Sequence, residues 1–325
     1  MCSLLRSQYM KGIPHKFSLS FIEKLTDGFA ERNCIGIGGY GKVYRGVDEN
    51  FPCQVAIKRL DADYLSGVAE GRRIQQRSFH QELKFLSEFS HPNILQVFGY
   101  LNTYDNPQTE RQIQKEMCLI IEYGEKGSVE SILQNEEESK RFGYKYRVKV
   151  AQDIAKALNY LHCHNPDQPV FHRDVKSANV ILKYDYTAKL IDCGLAMLAE
   201  NGNSLQDGQQ VSSTRGVAGT LGYMCPKYTA TGNFAANSEV YSYGVFLLEL
   251  MTGQIIQAQG KKKNNPNNNP EDDVSKQACN TLVQQLCNYA NDDDDNEVTI
   301  NDSESLERGK EWILSHLDPH LNLHS

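Results

Sequence analysis

The feature that most constrains the fold is a change of period near Tyr146. Before it, apolar residues come in short strand-like runs. Residues 35–60 read as strand, Gly-rich turn, strand, then a third strand ending in Val55-Ala56-Ile57-Lys58, and residues 94–101 and 117–123 are further β-rich runs. One helical pattern interrupts them at residues 75–90, with Phe79, Leu83, Leu86 and Phe89 as its stripe and Pro92 beyond it as a stop. After Tyr146 the spacing is helical. Val148, Ala151, Ile154, Ala155, Leu158 and Leu161 share a face, and residues 240–251 are almost wholly apolar, as in a helix buried inside a lobe. Strands early and helices late predict a two-lobed α+β protein.

The chain of 325 residues is long enough for one large domain or two modest lobes. Its net charge of −7 argues against a nucleic-acid partner. No apolar run reaches the length of a membrane span, and the N-terminus lacks the pattern of a secretory signal or a myristoylation site. Nine cysteines stand singly with no CxxC pair, which fits a reducing compartment better than a disulfide framework or a zinc site. Residues 261–270 (Lys, Asn, Pro) and 291–297 (Asp, Asn) cannot bury enough apolar surface to order themselves. They are expected to lie in a dispensable insertion, with a short helix at 277–289.

Four short segments carry chemistry. Gly36-Ile37-Gly38-Gly39-Tyr40-Gly41-Lys42-Val43 could bring backbone N–H groups close to a phosphate, or could be a plain turn. Val43 and Tyr44 continue as a strand, so the glycines do not open a helix and a dinucleotide-binding reading fails. Lys58 ends an apolar strand and needs an anion if buried, although it could instead snorkel to water. Glu82 on the following helix is its expected partner. His172-Arg173-Asp174-Val175-Lys176-Ser177-Ala178-Asn179 packs a carboxylate, an ammonium and an amide into six residues. That set suits phosphoryl transfer: Asp174 to take or orient a hydroxyl proton, Lys176 to offset phosphate charge, Asn179 to offer an oxygen to magnesium. Asp192, after an apolar run and before Cys193-Gly194, is a second candidate metal ligand, with a simple turn as the alternative.

In order and spacing, the four resemble the protein kinase family over about residues 30–252. Phe17-Ser18, Leu25-Thr26-Asp27-Gly28-Phe29, Gly219-Thr220-Leu221-Gly222-Tyr223-Met224 and Val240-Tyr241-Ser242-Tyr243-Gly244 resemble its receptor-like/Pelle/interleukin-receptor-associated branch. The resemblance implies a bilobal fold: a lead-in at 1–30, a β-rich N-lobe with hinge at 31–124, and a helical C-lobe at 125–325 with the insertion at about 254–308. It implies ATP and Mg²⁺ as cofactors. Ile35, Gly36, Gly38 and Gly41 would cover the nucleotide, and Val43, Ala56 and Ile181 would sandwich the adenine. Glu122, Tyr123 and Gly124 would be the hinge, with Ile121 behind them. Lys58, held by Glu82, would bind phosphates, Asp174 would be the catalytic base, and Asn179 and Asp192 would ligate Mg²⁺. Lys176 points to serine/threonine rather than tyrosine kinases. Arg173 implies control by phosphorylation at Ser212, Ser213 or Thr214, against the alternative of an ordinary polar loop. A protein substrate, an upstream kinase or receptor complex and a cytoplasmic signalling role are the implied setting.

Four departures accompany the resemblance. Cys193 stands where the family has phenylalanine, Lys227 where it has glutamate and Glu239 where it has aspartate. The segment from Trp312 resembles a stretch midway through the family's C-lobe, so the final helices are expected to be missing. These departures affect supporting structure, and the six catalytic positions are intact. An active serine/threonine kinase is therefore the expected function. The alternative is a nucleotide-binding pseudokinase scaffold.

Overall fold

The computed structural model describes residues 14–38, 41–47, 54–60, 69–104, 116–165, 168–198, 211–212, 217–256, 310–311 and 313–318. The chain divides into two compact units, Met1–Glu125 with Lys189–Ala196, and Lys126–Ala188 with Met197–Ser325. The expected insertion lies outside the described residues from 257 on, as do Ser213, Thr214 and Trp312.

The first unit is built on a six-stranded sheet. Its strands are β1 (His15–Lys16), β2 (Cys34–Gly38), β3 (Gly41–Gly46), β4 (Val55–Leu60), β5 (Val97–Asn102) and β6 (Met117–Glu122), in the order β1-β5-β6-β4-β3-β2. β2 to β6 pair antiparallel, while β1 joins β5 parallel, His15 opposite Gly99. Part of the expected lead-in is thus sheet. Sequence pattern could not show this, since a two-residue strand has no period to read.

Helix α1 (Leu19–Thr26) starts on Ser18, whose Oγ accepts from Phe21 N at 3.3 Å, and ends at Asp27 in the left-handed region. Ile22 and Leu25 bury against Val55, Ile57, Leu101, Cys118 and Ile120. Each such side chain contributes about 1.5–3 kcal/mol on transfer from water. Helix α2 (Ala69–Glu88) buries Phe79, Glu82, Phe85 and Leu86. Leu83, expected on the stripe, is only half-buried, and Phe85 takes its place.

The second unit is mainly helical. α3 (Val129–Gln134), α4 (Glu136–Arg141) and α5 (Tyr144–Cys163) follow one another, the first two capped by Ser128 and Asn135 side chains. α5 buries Val150, Ile154, Ala157, Leu158 and Leu161 along one stripe, with Arg147 and Asp153 among them. α6 (Pro226–Thr231) buries Tyr228 against Phe171 and Phe234. α7 (Ala236–Thr252) is buried along most of its length and ends on Gly253 at φ 67°. The α+β class expected from the sequence holds.

Candidate active site

In the first unit, backbone register assembles the site. Val43 lies opposite Lys58 across β3 and β4, and Ala56 lies opposite Ile121 across β4 and β6. Ile35, Gly36 and Gly38 lie on β2, with Ile35 half exposed. Gly41 has φ 143°, and a Cβ there would run into the Arg59 carbonyl oxygen, so glycine is needed for the tight return into β3. Glu122 closes β6, and Tyr123 and Gly124 follow it. The Glu122 carboxylate is 2.8 Å from Lys189 Nζ.

Lys58 is the centre of this cluster. Its Nζ donates to both Glu82 oxygens at 2.9 and 2.8 Å, and to Asp192 Oδ1 at 3.0 Å. Burial acts against the ammonium, but Glu82 and then Asp192 outweigh it and hold Lys58 above the ordinary lysine range. Burial pushes the Glu82 carboxyl up, and the bidentate ammonium contact opposes that push. Asp192 adopts a left-handed backbone, φ 62° and ψ 60°, a strain of about 1–3 kcal/mol that its surroundings must hold. Cys193, next to it, is fully buried.

In the second unit, Asp174 is fixed by three donors. Lys176 Nζ and Asn179 Nδ2 each reach Oδ2 at 2.8 Å, and Thr220 Oγ1 reaches Oδ1 at 2.6 Å. Lys176 Nζ also donates to Thr220 Oγ1 at 2.6 Å. Asp174, Lys176 and Thr220 thus form a closed ring, and both ends of the carboxylate are held. Among the described contacts of Asn179, those of its side chain all run through Nδ2, to Asp174 O and Oδ2. Its amide oxygen is therefore the end suited to a hard cation, as is the Asp192 carboxylate in the first unit. Ile181 sits half-buried in the strand Val180–Leu182.

The departures have structural partners. Glu239, buried on α7, accepts from Arg173 N at 2.6 Å through Oε1, and its Oε2 is 2.6 Å from His162 Nε2. The longer side chain thus still holds the backbone before Asp174, where Arg173 is left-handed at φ 71°. Arg173 itself donates to Tyr228 Oη at 2.6 Å and lies 5.5 Å from the Phe234 ring centroid. Its guanidinium therefore has a partner in α6. Lys227 on α6 is exposed. Ser212 falls in a two-residue strand, Val211–Ser212, paired with Asn233–Phe234.

Sequence reasoning missed Thr220 and His162. Thr220 lies within a Gly-Thr-Leu-Gly-Tyr string, and a lone threonine 46 residues from Asp174 gives no local signal. It also missed the bond from Tyr223 Oη to the buried Glu249 carboxylate. Burial raises both groups, and the carboxylate raises Tyr223 further.

Comparison with known proteins agrees with this geometry. The family model described as "Protein kinase domain" matches residues 29–306. The chain is 34% identical over 252 residues to "Probable serine/threonine-protein kinase PBL28" of Arabidopsis thaliana, covering 77% of this chain and 61% of that protein. It is 38% identical over 241 residues to "Probable serine/threonine-protein kinase PBL25" of the same plant, covering 74% and 57%. It is 38% identical over 238 residues to "Receptor-like serine/threonine-protein kinase ALE2", also from Arabidopsis, covering 73% and 28%. The matched stretch is thus less than two thirds of each of these relatives.

Proposed function

The chain belongs to the protein kinase family, and from that premise we propose that it transfers the γ-phosphate of ATP to serine or threonine hydroxyls of a protein. The observation that carries the reading is the Asp174 carboxylate held at both ends by Lys176, Asn179 and Thr220. A carboxylate so fixed can receive the hydroxyl proton without reorganising. Lys176, already bonded to it, offsets charge on the transferred phosphate. Lys58 binds the other phosphates, kept charged by Glu82. Gly36, Gly38 and Gly41 cover them, and Val43, Ala56 and Ile181 enclose the base beside Glu122, Tyr123 and Gly124. Asn179 and Asp192 are the residues that would hold Mg²⁺, which when bound would screen phosphate charge. The names of the relatives support serine/threonine specificity.

The setting we propose is cytoplasmic signalling, downstream of a receptor complex or another kinase, as the receptor-like relative suggests. No helix among the described residues is long and apolar enough to cross a membrane.

The test is transfer of labelled γ-phosphate, with Mg²⁺, to the protein itself and to a basic protein substrate. Asp174→Ala is expected to lower the rate about 10²- to 10⁴-fold. Equal labelling by the variant would reject Asp174 as the base. No label from the native chain, with ATP still raising its melting temperature, would instead indicate a nucleotide-binding scaffold.

A further inference from the structure

We propose that Gln81 is a positioning residue that fixes the register of α2 against the turn after Asp192. The proposal rests on the kinase reading above. Gln81 Nε2 donates to the Ala196 carbonyl oxygen at 2.5 Å, across 115 residues of sequence. Its neighbour Glu82 holds Lys58, which reaches Asp192. The helix is therefore fastened at both ends of one turn: to Asp192 through Lys58, and to Ala196 directly.

Between those points lie Cys193, Gly194 and Leu195 in a single 3₁₀ turn, closed by Ala196 N donating to Cys193 O at 3.0 Å. The helix approaches this turn closely. A Cβ on Gly194 would sit 3.0 Å from Ser78 Oγ and 3.7 Å from Asp192 Oδ1. Ser78, Gln81 and Glu82 stand at i, i+3 and i+4, so one face of α2 meets the turn. A large ring at 193 would lock that contact by shape. The buried Cys193 side chain is smaller than a ring and gives less shape to that contact. A hydrogen bond has a preferred length and direction, and Gln81 supplies both. If the register slips, Glu82 moves from Lys58, and the ammonium loses the partner that keeps it charged and aimed.

The test uses the full chain and two readouts. The first is the alkylation rate of Cys193 by iodoacetamide in the native protein, read by peptide mapping against the exposed Cys163. The second is kcat together with KM for ATP. Gln81→Leu, near in size but without a donor, is expected to raise Cys193 alkylation about tenfold relative to Cys163. It is expected to lower kcat about 10- to 100-fold. Gln81→Lys, which keeps a donor at similar reach, is expected to restore most of the protection and of kcat. Alkylation and kcat both within twofold of the native chain in Gln81→Leu would overturn the proposal. Should Gln81→Leu unfold, so that every cysteine reacts alike, Gln81→Lys decides: restored protection supports the proposal, and reactivity equal to the leucine variant overturns it. A native chain without phosphate transfer would reject the kinase reading, while Cys193 protection would still decide the role of Gln81.

Discussion

Lys58→Met is expected to lower phosphate transfer about 10²- to 10³-fold and to destabilise the fold in a pH-dependent way. The reasons are local. Lys58 is the cation for two carboxylates, Glu82, which is 2% exposed, and Asp192. Methionine fills similar space but leaves Glu82 with no ammonium in a site that already disfavours charge. Breaking a buried pair from one side costs about 3–5 kcal/mol. In the variant, Glu82 escapes part of that cost by keeping a proton, so its folded pKa lies above its unfolded one. The folded state then binds more protons between those two values, and stability falls as pH rises through that window. The variant is thus expected to melt closer to the native protein at pH 5 than at pH 8. In the native chain Lys58 stays charged and opposes the upward push on Glu82, so the slope is expected to be shallower than in the variant. Lys58→Met/Glu82→Leu, apolar on both sides, is expected to recover stability but not activity. Thermal melts at the two pH values, with the transfer assay, check both halves. A single variant as stable as the native chain at pH 8 would show that Glu82 has another partner for its charge.

What the sequence revealed follows the range of its signals. The period change near Tyr146 identified an α+β chain, and of the stripe expected on α5, Ile154, Leu158 and Leu161 are buried, whereas Val148, Ala151 and Ala155 lie at its edge and Val150 and Ala157 are buried instead. Glu82 could be named as the partner of Lys58 because it stood on the next helical pattern. Asp174, Lys176 and Asn179 could be grouped because six residues of loop keep them together. What escaped was contact over long separations, where a polar residue looks like any solvated one. Thr220, His162, Lys189 and Gln81 belong to this class. Cys193 shows the converse. Its departure from the family pattern was visible, whereas the bond from Gln81 to Ala196 beside it comes from another element. Arg147 did carry a faint signal, since it falls three residues before Val150 on the buried stripe of α5. An arginine at such a position implies an acid on another element, but gives no means of finding it.

That acid is Asp318, and Arg147→Met is expected to cost about 3–5 kcal/mol, lowering the melting temperature by about 5–10 °C. Arg147 and Asp318 are 2% and 6% exposed. Nη2 donates to Asp318 Oδ2 at 2.6 Å and to Ser139 Oγ at 3.2 Å, while Nε and Nη1 donate to the carbonyls of Phe142 and Leu250 at 2.7 and 2.8 Å. One guanidinium thus joins α4, the loop before α5, the end of α7 and the segment at residues 310–318. Burial lowers its pKa from a value so high that it remains charged at any working pH. The segment is held by its backbone as well, Asp318 N donating to Met251 O at 2.9 Å, and a Cβ on Gly253 would run into the Asp318 carboxylate. Removing the cation alone takes the buried ion pair from Asp318 and the donors from two carbonyls. Arg147→Met/Asp318→Leu removes the charges together and is expected to regain much of the loss, although the carbonyls still lack donors. If the single variant melts within a degree of the native chain, the network contributes no net stability. If it is destabilised while kcat per folded molecule is unchanged, the network's role is to hold residues 310–318 in place, and the chemistry at Asp174 does not depend on it.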